Sequence, residues 1–144
     1  YETACDLIEE YWIKHKREIS TLISYSYAKL KLKRYKDVYW ELKQYYDNPQ
    51  TCIPALAINY FIADIKHNKL DEKKIKNKIL NNKELYDNDV IAAAYSLIGD
   101  IPNALDYLSR AIKEDNMLKY SVQDWPAFEN CREDNRYKKL VGIQ

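Results

Sequence analysis

The sequence predicts an all-α fold built from paired short helices, and three observations carry that expectation. Two Gly and four Pro among 144 residues are too few turn formers for an all-β chain, whose hairpins depend on them. Long runs rich in Leu, Ile, Lys, Glu and Tyr read as helix rather than strand. Between Asn88 and Ala111, small residues (Ala92, Ala93, Ala94, Ala104, Ala111) alternate at helical spacing with bulky ones (Ile91, Tyr95, Leu97, Ile98, Leu105, Leu108). Two helices approach closely only where one offers small side chains for the other's large ones to pack against.

That stretch reads as two helices hinged at Gly99-Asp100. Gly99 tolerates the left-handed backbone that ends the first helix, Asp100 suits the cap of the second, and Pro102 suits its first turn. With its small-large-aromatic pattern, turn Gly and second-helix Ala, the stretch resembles a tetratricopeptide repeat, a helix-turn-helix unit of about 34 residues. Asn68 falls 31 residues before Gly99, at the turn position, and Asn enters the left-handed region cheaply. Another 35 residues back, Tyr35, Val38, Leu42 and Tyr45 fall on the second-helix face, with Lys33 at the turn; 34 further back, Ala4, Ile8 and Tyr11 fall there again.

This register divides the chain into the second helix of a truncated repeat at 1–16 and hairpins at 18–47, 53–82 and 88–115, within a single domain. The first helix of the first hairpin runs from Glu18 to Leu32, and the second hairpin pairs Ile53–Lys66 with Asp71–Leu80. The linkers, 47–51, 81–89 and 115–116, are too short to separate independent domains. Lys73 stands where a small residue belongs. An irregular helical bundle without true repeats is the alternative reading.

The tail, 117–144, carries a second resemblance. Trp125–Leu140, WPAFENCREDNRYKKL, is similar to the closing segment that follows the last repeat in bacterial tetratricopeptide proteins, the end-of-group type. Pro126, Phe128, Arg132, Asp134, Arg136, Tyr137 and Leu140 match that pattern, while Trp125, Cys131 and Asn135 depart from it. The residues suggest a lid in which Phe128, Cys131, Tyr137 and Leu140 cover the last hairpin, as a terminal repeat requires.

Together the resemblances imply a right-handed α-solenoid with a C-terminal helical cap, serving as a protein-protein interaction module, a scaffold or sensor region of a larger, bacterial protein. In such arrays the first helices line a concave groove that holds a peptide. Carried through the register, the groove positions are Ser24, Tyr27 and Lys31, then Asn59, Ile62 and Lys66, then Tyr86, Ser96 and Leu97. Lys31, Asn59 and Lys66 would hold a carboxylate or an extended backbone. A module packed on its own upstream enzymatic or DNA-binding domain is the first rival reading, and an RNA-binding helical repeat is the second. The chain opens at Tyr1 with an apolar face at Leu7, Ile8, Tyr11 and Trp12, so an upstream continuation is expected, or self-association through that unfinished face.

The remaining features point away from chemistry. A formal charge of +1 exerts no global pull on nucleic acid or an anionic membrane. Lys29–Lys36, KLKLKRYK, interleaves bases with Leu and Tyr. Against nucleic-acid contact, Glu84–Asp134 carries eleven acids and four bases. No apolar run approaches the ~20 residues of a membrane span, and a cytoplasmic location is the default expectation. Cys5, Cys52 and Cys131 form neither a CxxC nor a disulfide framework, and His15 and His67 lack ligand spacing, so no metal is expected. Two glycines exclude a phosphate-cradling loop, no catalytic constellation stands out, and the reading is a non-enzyme without cofactor.

Overall fold

In the computed structural model, which describes residues 2–4, 6–7, 19–68 and 72–142, every regular element among the described residues is helical. The chain resolves into two compact units, 1–70 and 71–144. The boundary falls between the two helices expected to pair as the second hairpin. Of the N-terminal face, Leu7 is exposed, whereas Ile8, Tyr11, Trp12 and His15 lie outside the described residues.

The first unit contains α1 (Ile19–Lys31), α2 (Tyr35–Asp47) and α3 (Pro54–Asn68), each packed against the other two. Helix α3 is buried on nearly every side from Leu56 to Asp64, the mark of a core helix rather than an amphipathic surface one. Its Tyr60 ring lies between Tyr39 and Tyr46 of α2, at centroid distances of 5.4 and 4.1 Å and interplanar angles of 22° and 19°. Tyr39 and Tyr46 are seven residues apart, two helical turns, which puts both on one face of α2. Burial, first, and then hydrogen bonding with Tyr39 push the Tyr60 phenol far above its ordinary pKa.

The turn from α1 to α2 is closed by two backbone bonds, Lys33 N to Leu30 O and Arg34 N to Lys29 O, both 3.0 Å. This is the Schellman closure, which needs a left-handed residue, and Lys33 supplies it at φ +60°. A lysine there carries a steric cost of roughly 1 kcal/mol that glycine avoids.

In the second unit, α4 (Lys73–Lys78) leads through a 3₁₀ segment (Leu80–Leu85) to α5 (Asn88–Leu97) and α6 (Ile101–Glu114). The expected helix from Asp71, which lies outside the described residues, to Leu80 ends at Lys78, and the expected 81–89 linker starts in 3₁₀ turns kinked at Asn82 (φ −134°, ψ 40°). The Asn82 side chain explains the break. Its Nδ2 donates to Asn77 O at 2.9 Å and Lys78 O at 3.3 Å, taking carbonyls that a longer helix would use. Helices α5 and α6 pair through a turn closed by Gly99 N to Ser96 O and Asp100 N to Tyr95 O, both 3.0 Å, with Gly99 at φ +81°. Asp100 Oδ1 then accepts from Asn103 N at 3.3 Å, and Pro102 stands in the first turn.

The chain ends with α7 (Leu118–Asp124), a 3₁₀ turn (Pro126–Cys131) and α8 (Asn135–Val141). The 3₁₀ turn packs on α5 and α6, and α8 packs on α6 and α7. Phe128, Cys131 and Tyr137 are buried, with the Phe128 and Tyr137 rings stacked at 6.4 Å, while Leu140 is half-buried. Tyr137 Oη donates to Val122 O at 3.0 Å, and Gln123 Nε2 donates to Val141 O at 2.9 Å, so α7 and α8 tie each other down. Arg136 reaches Asp106 of α6 at 2.9 Å.

The two turns make opposite predictions. Lys33→Gly removes the left-handed penalty and is expected to raise unfolding stability by up to about 0.5 kcal/mol, net of the extra freedom glycine gives the unfolded chain. Gly99→Ala is expected to lower it by about 1 kcal/mol through conformation alone, because a Cβ at Gly99 meets nothing within 4 Å. Urea midpoints of the two variants check both signs. Burial pushes the Cys131 thiol pKa up. Since the native state then holds its proton more tightly than the unfolded chain, this group subtracts stability as pH rises above the ordinary thiol value. Alkylation mapped by mass spectrometry is expected to label Cys131 on the order of 100-fold more slowly in the native than in the denatured protein.

Candidate binding surfaces

The nine expected groove residues have unequal access. In the first unit Ser24 is exposed, with its Oγ donating to Ser20 O at 3.2 Å. Tyr27 and Lys31 are half-buried and Lys66 is exposed. Asn59 and Ile62 are 2% and 3% exposed, so a ligand reaches neither without displacing packed neighbours. Asn59 Nδ2 donates to Ser26 Oγ at 3.1 Å, and Ser26 Oγ donates to Ile23 O at 2.9 Å, tying α3 to α1 through a buried polar relay. A buried amide without such partners would cost about 1–3 kcal/mol.

In the second unit Tyr86 and Leu97 are half-buried, but Ser96 is fully covered. Its carbonyl accepts from Asn130 Nδ2 at 2.8 Å, and its Oγ accepts from Cys131 Sγ at 3.4 Å. The last turn of α5 thus presents Ser96 to the Pro126–Cys131 turn. Nothing in the local pattern signals this, because the contacting residues are 34 and 35 positions apart.

The basic run Lys29–Lys36 is not a uniform charged face. Lys29 is buried; its Nζ donates to Glu41 Oε1 at 2.9 Å and lies 4.3 Å from the Tyr25 ring centroid. Desolvation opposes the charge, yet hydrogen bonds to Tyr25 and Glu41 outweigh it and raise the Lys29 pKa. Arg34 pairs with Glu2 at 3.2 Å. Exposed His67 stands in the last turn of α3, its ring 5.6 Å from that of Tyr39. Among the described residues, no group of three or more His, Cys, Asp or Glu is placed to hold a metal. No described helix is long and apolar enough to cross a membrane.

A polar cleft of about 490 Å³ opens in the second unit where α4 and the 3₁₀ segment face the α5–α6 turn. Lys76, Lys83, Glu72 and Asp100 bring four charges to it, with Asn81 and Tyr95 between them. Lys83 Nζ lies 5.1 and 5.5 Å from the ring centroids of Tyr95 and Tyr107, which stack on each other at 5.6 Å and 24°. Hydrogen bonding to Tyr95 is the main influence raising the Lys83 pKa and outweighs the opposing desolvation, so the ammonium stays charged at neutral pH. Sequence reading treats 81–89 as a linker and therefore misses Lys83. Only the fold of that segment brings it to two tyrosines of the α5–α6 hairpin. Compared with known proteins, the chain matches no family model, no curated protein and no solved structure.

Proposed function

We propose that this chain is a tetratricopeptide-like right-handed solenoid segment with a C-terminal cap, and that it acts as an interaction module for a protein or peptide partner in the cytoplasm. The observation that carries the reading is the pair of turns at Lys33 and Gly99. They stand 66 residues apart, close to two 34-residue intervals, and close with the same two backbone bonds. A left-handed lysine at the earlier turn, where the side chain does not favour that backbone, supports the reading. The small-residue packing of α5 on α6 supports the same reading, as does the seating of Pro126–Cys131 on α5. A terminal repeat must cover its outer apolar face in this way.

Partner binding then rests on the accessible members of the groove set. In the first unit these are Ser24, Tyr27, Lys31 and Lys66. Two cations among them favour a partner segment that carries carboxylates. Display of a random peptide library against the whole chain tests this. Enriched acidic peptides whose affinity falls tenfold or more, about 1.4 kcal/mol, in Lys31→Glu/Lys66→Glu are the expected result. An unchanged melting temperature keeps the comparison valid. Failure to enrich any sequence, or equal binding by the double variant, would defeat the proposal.

A further inference from the structure

The cleft between α4, the 3₁₀ segment and the α5–α6 turn has an uneven charge economy. Both carboxylates that line it are already engaged. Glu72 Oε1 pairs with Lys76 at 3.1 Å. Asp100 accepts from Asn103 twice, at its backbone N (3.3 Å) and its Nδ2 (2.8 Å), and is held there as the cap of α6. Lys83 differs. Among the described residues no carboxylate pairs with it, and the groups around its ammonium are the tyrosines Tyr95 and Tyr107. A half-exposed cation steadied by aromatic rings on the lining of an open cleft retains its capacity for an anionic partner.

The neighbours fit that role. Tyr95 lines the cleft with a phenol able to donate, and Asn81 adds a side-chain amide. The Glu72–Lys76 pair is a surface i,i+4 pair with both side chains about half exposed. Such pairs are weak, so Lys76 can turn to a better acceptor at little cost. At Gly99 the cleft has an open floor, since even a Cβ there would meet nothing within 4 Å. The polar, charged rim of this open depression suits a hydroxylated or otherwise polar body rather than an apolar one.

We propose that this cleft binds the oxyanion group, carboxylate or phosphate, of a small polar molecule, with Lys83 as the principal contact and Lys76, Tyr95 and Asn81 as supporting donors. The site is separate from the peptide-groove reading, because it uses none of the nine groove residues.

The test is a titration of the full isotope-labelled chain by NMR at low ionic strength, with inorganic phosphate in one arm and sodium acetate in the other. Saturable shifts confined to the amides of Lys83, Tyr95 and the Gly99 turn are expected in at least one arm. Response to phosphate alone identifies a phosphate source, and response to acetate alone identifies a carboxylate source. In Lys83→Met the affinity is expected to fall at least tenfold, whereas Lys113→Met, an exposed lysine in the last turn of α6, leaves it unchanged. Should Lys83→Met fail to fold, Tyr95→Phe serves instead, with a loss of about threefold. Linear, unsaturable shifts in both arms, or equal binding by Lys83→Met and the native chain, would overturn the assignment.

Discussion

The pairing of α1 with α2, and of α5 with α6, depends on reversing the chain immediately after a short helix. Helices of 10 to 14 residues, such as α5 and α6, are marginal alone in water and become stable only when a partner covers the apolar face. The partner nearest at hand is the next helix, provided the chain turns within two or three residues. Lys33 and Gly99 do this in the same way, each left-handed and each followed by an N–H that reaches five residues back, to Lys29 O and Tyr95 O. At Gly99 the local chemistry agrees with the backbone. At Lys33 it opposes it, and the packing of α1 and α2 with α3 outweighs the roughly 1 kcal/mol of steric cost.

Once reversed, each helix pair still has an open side, and the chain closes it in the second unit with its own tail. Helix α5 is buried from Val90 to Ser96 because α6 covers one side and the Pro126–Cys131 turn covers another. The tail is seated by buried side chains, Phe128, Cys131 and Tyr137 among them, and polar contacts fix its register. Asn130 to the Ser96 carbonyl, Cys131 to the Ser96 hydroxyl and Tyr137 to the Val122 carbonyl leave little freedom in register.

How much of this was legible in the sequence follows the range of the interactions. The Gly99-Asp100 hinge, the Asp100 cap and the first-turn Pro102 are readable because each acts within four residues. The all-helical class is readable because helical periodicity is itself local. Lys33 as a turn residue was reachable only by counting intervals from Gly99, since lysine carries no turn signal of its own. The burial of Asn59, Ile62 and Ser96 was not legible. A groove position and a core position share one helical periodicity, and the groups that separate them stand far away in the chain, Ser26 at 33 residues from Asn59 and Cys131 at 35 from Ser96. Lys29 is the same problem with a charge. In a run of alternating bases it looks solvated, yet Tyr25, four residues back, and Glu41, twelve residues on, hold it inward.

These polar pairs share a physical consequence that the apolar core lacks. An apolar contact tolerates a small slide of one helix along another, whereas a hydrogen-bonded pair in a low-dielectric interior does not. Asn59 with Ser26 and Lys29 with Glu41 each join a different pair of helices in the first unit, α3 to α1 and α1 to α2. The Tyr39–Tyr60–Tyr46 stack joins the remaining pair, α2 to α3. Each of the three interfaces among α1, α2 and α3 is therefore pinned by a directional contact as well as filled by apolar ones. The same logic explains why Lys83 stands out. In the first unit the buried ammonium, Lys29, has a carboxylate partner and is consumed by the fold. In the second, Lys83 is oriented by two rings without a paired carboxylate among the described residues, so its charge is positioned by the structure but not spent on it.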